Sequence, residues 1–193
     1  MLNIVLFGPP GAGKGTQSEN IVRKYSLIHV STGDLFRKNL EENTDLGKKA
    51  KGFMNAGNLV PDEVVISMVE DKIKDHLDVN GFIFDGFPRT VNQAEALDEV
   101  LNEYNLSISG MIAMEVPEEE LKTRIKERAK TSGRVDDQDD SKIENRIKVY
   151  NEETVPVADY YKSQHKFSSV DGIGSISDIF KEIEEQIAYL ENI

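Results

Sequence analysis

Leu2-Asn3-Ile4-Val5-Leu6-Phe7, followed at once by Gly8-Pro9-Pro10-Gly11-Ala12-Gly13-Lys14-Gly15-Thr16, is the stretch on which the fold turns. An apolar strand runs into a glycine-rich loop and then into a helical pattern. In that context such a loop binds phosphate: the glycines let consecutive backbone N–H groups point inward, and the helix N-terminus adds its partial positive charge. Pro9 and Pro10 carry no N–H, so the donors come from Gly11 through Thr16. Lys14 is placed to reach the outer phosphates. Gly15 stands where Ser or Thr usually follows the lysine, and the hydroxyl comes one place later, at Thr16. A glycine turn that binds nothing would need neither the preceding strand nor the lysine.

Beyond this unit, short apolar runs alternate with longer helical patterns, which predicts an α/β fold with a five-stranded parallel sheet flanked by helices. Strands are expected at Leu2–Phe7, Ile28–Val30, Phe82–Phe84, Met111–Val116 and Lys166–Val170. Helices are expected near Gly15–Tyr25, Pro61–Leu77, Thr90–Asn102, Pro117–Lys130, Ser141–Lys162 and Ser175–Leu190, with Pro61 and Pro117 as first-turn residues. About thirty residues separate Val30 from Pro61, too many for a simple crossover. They hold two short helices, Asp34–Glu42 and Asp45–Met54, punctuated by Gly52 and Gly57, and read as an inserted mobile flap.

Two further stretches fall at expected strand ends. Gly81-Phe82-Ile83-Phe84-Asp85-Gly86-Phe87-Pro88-Arg89-Thr90 places a carboxylate at the carboxyl end of a buried strand, where an open parallel sheet binds its ligands. Asp85 is suited to holding Mg²⁺ through water, and Arg89 is aimed over the same crevice. Ser31-Thr32-Gly33-Asp34-Leu35-Phe36-Arg37 ends the second strand in the same way, with Thr32 placed to cap the next helix and Arg37 one turn in. Taken singly, the first has a lesser alternative as a simple turn, whereas the second reads equally as a cap with a surface arginine.

The composition bounds the function. Of 193 residues, 23 are Lys or Arg and 35 are Asp or Glu, a formal net charge of −12. That balance argues against a basic face for nucleic acid or anionic membrane, so an anionic ligand must be met locally. The chain has no Cys, which excludes disulfides, thiol catalysis and thiolate zinc sites. His29, His76 and His165 share no ligand spacing. No run approaches the roughly 18 apolar residues of a membrane span, and the first strand begins at Leu2, so a cytoplasmic protein is expected. Arginines are scarce, seven against sixteen lysines, and six of the seven (all but Arg23) fall in or near the motifs. Arg124 and Arg128 share one helix face, Arg134 follows in Thr131-Ser132-Gly133-Arg134, and Arg146 lies on the next helix.

Gly8–Gln17, Ser31–Arg37, Asp85–Arg89 with Gln93, and Gly133-Arg134-Val135-Asp136-Asp137 together resemble the nucleoside monophosphate kinases along essentially the whole chain, those acting on AMP most closely. The resemblance implies a P-loop NTPase three-layer fold with an NMP-binding flap and a short lid, and the reaction ATP + AMP = 2 ADP with Mg²⁺. It implies a core of 1–30, 61–126 and 138–193, an AMP flap of 31–60 and a lid of 127–137 that lacks zinc. ATP would be held by Gly11, Ala12, Gly13, Lys14, Gly15 and Thr16, with Arg128 and Gly174 near the adenine. AMP would meet Thr32, Arg37, the backbone of Asn58, Leu59 and Val60, then Gly86, Phe87, Pro88, Arg89 and Gln93. Lys14, Arg89, Arg124, Arg134 and Arg146 would surround the transferred group, Arg134 and Arg146 also touching AMP. The ligands implied are ATP, AMP and ADP, and the expected state is a monomer. Two alternatives stay open on the residues themselves: a P-loop switch or idle ATP-binding module with one nucleotide pocket, and a kinase of UMP or CMP.

Overall fold

In the computed structural model, which describes residues 1–190, the chain runs β1 (Leu2–Phe7), α1 (Lys14–Tyr25), β2 (Ile28–Ser31), α2 (Thr32–Glu41), α3 (Asp45–Ala56), α4 (Asp62–Lys74), β3 (Gly81–Asp85), α5 (Val91–Glu103), β4 (Gly110–Glu115) and α6 (Glu118–Ser132). It continues through a 3₁₀ turn (Val135–Asp137), α7 (Asp140–Val149), a π-helical segment (Tyr150–Thr154), α8 (Val155–Ser163), β5 (Phe167–Asp171) and α9 (Ile176–Leu190). The strands form a five-stranded sheet in the order β2-β3-β1-β4-β5, every neighbouring pair parallel.

Strand side chains alternate between faces, so each strand feeds two cores. Ile4 and Leu6 of β1 join Ile83, Ile112 and Val170 beneath Ile21 of α1 and Ile179, Ile183 and Ile187 of α9. Val5 and Phe7 join Phe82, Phe84 and Met111 beneath Val69 and Ile73 of α4, Leu97 and Leu101 of α5, and Tyr161 of α8. A third, small cluster of Ile125, Ile143 and Ile147 fastens α6 to α7. These isoleucines neighbour Arg124 and Arg146 in sequence, so packing at this seam sets where the arginines stand.

Local chemistry accounts for the departures from the expected elements. Ser31, not Thr32, caps α2: its Oγ accepts from the Asp34 N–H at 3.3 Å, while the Thr32 hydroxyl donates to the Gly86 carbonyl at 2.8 Å. Pro61 and Pro117 precede the first turns of α4 and α6 as caps rather than opening them. The single helix expected from Ser141 to Lys162 is interrupted by the π-helical segment before Pro156. Proline lacks an N–H and crowds the carbonyl four residues back, so a regular α-helix cannot pass through it unaltered.

Candidate active site

The carboxyl ends of β1, β2 and β3 reach one edge of the sheet, where a cavity of about 540 Å³ opens. β1 lies between β3 and β4, so the chain passes to either side of it at this point, the usual position of a ligand crevice in an open sheet.

The glycine-rich loop forms the floor. Its Ala12 N–H donates back to the Pro9 carbonyl at 3.2 Å, and Lys14 Nζ lies across the loop, donating to the carbonyls of Gly8 at 2.7 Å and Pro9 at 3.0 Å. Burial pushes the Lys14 ammonium down to about 8, against the pull of Asp85, and Arg89, Arg146 and Arg128 push the same way. Gly11, at φ +87°, lets α6 pack directly on the loop: a Cβ there would come within 2.8 Å of Ile125 Cγ1.

Asp85 ends β3 facing this floor. Burial alone would raise its carboxyl, but the neighbouring His29, then Lys14, more than offset it and hold it below the usual carboxylate range. His29 Nε2 stands 3.7 Å from Asp85 Oδ2. On the same side Arg89 Nε donates to the Gly86 carbonyl at 2.7 Å, and burial, then Arg146, lowers its guanidinium to about 10. Arg37, from α2, is paired with Asp34.

Cations also converge from α6 and α7. Arg124 donates to Glu120 at 2.7 Å and to the Ala12 carbonyl at 3.4 Å. Arg128 grips Asp137 through two bonds of 2.7 and 2.8 Å, and Arg146 donates to Asp137 at 2.5 Å and forms an ion pair with Asp136 at 2.8 Å. The Asp137 side chain is fully buried between them. Burial, then Arg37 and Arg128, lower the Arg134 guanidinium.

Every residue expected at the site lines this cavity except Gly174, which follows β5 in an exposed loop apart from it. The lining also includes residues the sequence reading did not assign, among them Phe36, Val65 and Tyr150, whose ring packs 5.7 Å from that of Phe7. Three polar residues were missed. Asp137 stands in the Gly133–Asp137 motif but carries no role of its own there. Asp62, which receives three side chains of α5, and Asn145, which bonds to Ala56 and Asn58, act across long sequence separations and leave no local signal.

Guanidinium groups brought to a phosphate-binding loop from both sides suit the passage of a phosphoryl group between two anionic partners, and the class is that of the P-loop phosphotransferases. Comparison with known proteins narrows it. The adenylate kinase family profile matches residues 6–166. Adenylate kinase of Flavobacterium johnsoniae is 54% identical over 187 residues, 97% of this chain and 98% of the relative. The adenylate kinase of Bacteroides fragilis is 49% identical over 183 residues, 95% and 96% of the two chains. The chain belongs to the adenylate kinase family. It is a phosphotransferase of nucleoside monophosphates, interconverting ATP and AMP with two ADP.

Proposed function

We propose that the cavity performs this transfer with Mg²⁺, ATP lying on Gly11–Thr16 with its adenine toward Arg128 and Gly174. AMP lies under the flap, against Thr32, Arg37, Asn58–Val60, Gly86–Arg89 and Gln93. The supporting observation is that one cavity is lined both by the phosphate loop and by residues of the 31–60 stretch and takes six of the seven arginines. A switch needs only the phosphate loop.

The reaction asks little covalent work of the protein. An oxygen of the AMP phosphate attacks the γ-phosphorus of ATP. The bond from that phosphorus to the β,γ-bridging oxygen breaks, and its electron pair leaves with ADP. The attacking oxygen is already ionised, so no base is required. Lys14, Arg89, Arg124, Arg134 and Arg146 offset the repulsion of the two anions and the charge on the transferring oxygens. Asp85, ionised and facing Lys14, fits a water-mediated hold on Mg²⁺, which keeps most of its waters and needs few protein carboxylates. When bound, the ion supplies further neutralisation of the phosphate oxygens.

Water is the competing acceptor, and dividing the site over moving parts excludes it until both nucleotides are present. The core is assigned to 1–30, 61–126 and 138–193 (191–193 lying outside the described residues), the AMP flap to 31–60 and the lid to 127–137. The α2–α3 hairpin supports the flap assignment, and the lid spans the end of α6 and the 3₁₀ turn. No helix among the described residues is long and apolar enough to cross a membrane. The protein acts as a cytoplasmic monomer in this reading. Incubating it with Mg²⁺ and ADP alone should give ATP and AMP in equal amounts. Their absence would overturn the assignment, and a panel of monophosphate acceptors separates AMP from UMP and CMP.

A further inference from the structure

Asp62 opens α4 just behind the flap, and its carboxylate gathers three side chains from the start of α5. Thr90 Oγ1 donates to Oδ2 at 2.9 Å, Asn92 Nδ2 to Oδ2 at 3.0 Å, and Gln93 Nε2 to Oδ1 at 2.7 Å. The other end of the Gln93 amide accepts from the Arg89 backbone N–H at 2.8 Å. A primary amide is nearly symmetric in shape, and its two ends differ only in chemistry. Between a carboxylate, which only accepts, and a peptide N–H, which only donates, one orientation of Gln93 satisfies both neighbours and the reverse satisfies neither. Gln93 is 1% exposed, so water cannot rescue the reversed form.

Each end of the amide keeps one unused position, a second N–H and a second lone pair. Gln93 lines the cavity together with the apolar side chains of Phe36, Val60, Val65 and Phe87. A neutral donor–acceptor pair among apolar groups suits the edge of a base, whereas the arginines suit phosphates.

We propose that Asp62 is a specificity-determining positioning residue: by fixing the sense of the Gln93 amide, it selects the acceptor base. The fixed amide offers an N–H beside a carbonyl oxygen. A 6-aminopurine presents the complement, a ring-nitrogen acceptor beside an amino donor. A 6-oxopurine presents the opposite, a ring N–H beside a carbonyl, and meets the amide donor to donor and acceptor to acceptor. Asp62 therefore excludes 6-oxopurine monophosphates without touching them. The inference rests on the reading that Gln93 faces the base of the acceptor.

The test measures kcat/KM for AMP and for IMP, with ATP as donor, in the unsubstituted protein and in Asp62→Asn, Asp62→Ala and Gln93→Ala, with KM for ATP and a thermal melt alongside. An asparagine at position 62 partners either sense of the amide, so the AMP-to-IMP ratio should fall about tenfold or more while KM for ATP stays within about twofold. An unchanged ratio in the folded Asp62 variants, with a collapsed ratio in Gln93→Ala, would overturn the role of Asp62 and leave it a brace between α4 and α5. An unchanged ratio in Gln93→Ala as well would show that the reading of Gln93 as facing the base is what fails. If the Asp62 variants do not fold, the unsubstituted protein decides by ¹⁵N-resolved exchange. The Gln93 side-chain amide protons should exchange slowly and shift on adding AMP but not IMP, and an amide exchanging at the free rate in both states overturns the proposal.

Discussion

Lys14 shows at a single residue how the site trades stability for function. Its ammonium titrates near 8 in the folded chain because burial disfavours the charge, against 10.5 for an ordinary lysine. The charged form therefore costs stability below about pH 8, and the cost fades as pH rises toward 10.5, since over that window the unfolded chain binds the proton and the folded one does not. Lys14→Met should accordingly raise the melting temperature of the nucleotide-free protein at pH 7 while lowering kcat by on the order of 10³-fold or more. A calorimetric melt and a coupled assay check the two halves. In the unsubstituted enzyme, kcat/KM for ATP should decline above about pH 8, because it reports the free enzyme, whereas bound phosphates keep the lysine charged and kcat flatter. Thr32 differs: it is buried, with its hydroxyl on the Gly86 carbonyl, and the proposed function puts it against the acceptor. Thr32→Ala should lower the ratio of kcat/KM for AMP over CMP and UMP severalfold, and unchanged ratios would remove it from the selectivity apparatus. The meeting of Lys14, Asp85 and Arg89 at one cavity was legible because each sits in a short stretch at the carboxyl end of an apolar strand. Asp62 was not, since an acidic residue opening a helix is ordinary, and only its partners 28 to 31 positions away set it apart.

At the scale of elements, the α2–α3 hairpin, the flap of the proposed function, rests on α7. Asn145 Nδ2 donates to the Ala56 carbonyl at 2.9 Å and to Asn58 Oδ1 at 2.8 Å, tying the end of α3 to the helix that carries Arg146. Gly57, at φ +74°, permits the contact, because a Cβ there would come within 2.8 Å of Arg146 Cγ. The bonds are exposed, so their net worth is small, of the order of 1 kcal/mol. Asn145→Ala should raise KM for AMP severalfold, leave KM for ATP nearly unchanged and scarcely move the melting temperature; equal changes in both constants would argue against a flap-specific role. The strands and most helices were readable from hydrophobic periodicity, because each faces one of two cores with its own alternation. Periodicity passed over the break at 150–154, since the apolar spacing continues through it and only the missing N–H of Pro156 forces the wider turn. The docking of α3 on α7 was equally hidden, being made by two amides nearly ninety residues apart.

The whole molecule carries a net charge of −12 and yet gathers six arginines and Lys14 around one cavity. These cations stand closer together in the folded chain than in the unfolded one, so their mutual repulsion is a local cost to folding. Sulfate should therefore raise the melting temperature by a few degrees more than sodium chloride at equal ionic strength. Arg89→Ala should shrink that excess while leaving the general salting effect of sulfate in place, and an excess of the same size in both proteins would show that the anion acts elsewhere. Such a balance could be anticipated from the count of arginines, but the acids that temper it could not. Asp137 holds Arg128, placed toward ATP in the proposed function, with a pair of bonds, and Arg146, placed at the transferred group, with a third. A carboxylate shared in this way works as a messenger: a nucleotide that draws one guanidinium aside changes the hold on the other. Because such linkage is reciprocal, whatever news ATP sends to the AMP side, AMP returns in equal measure.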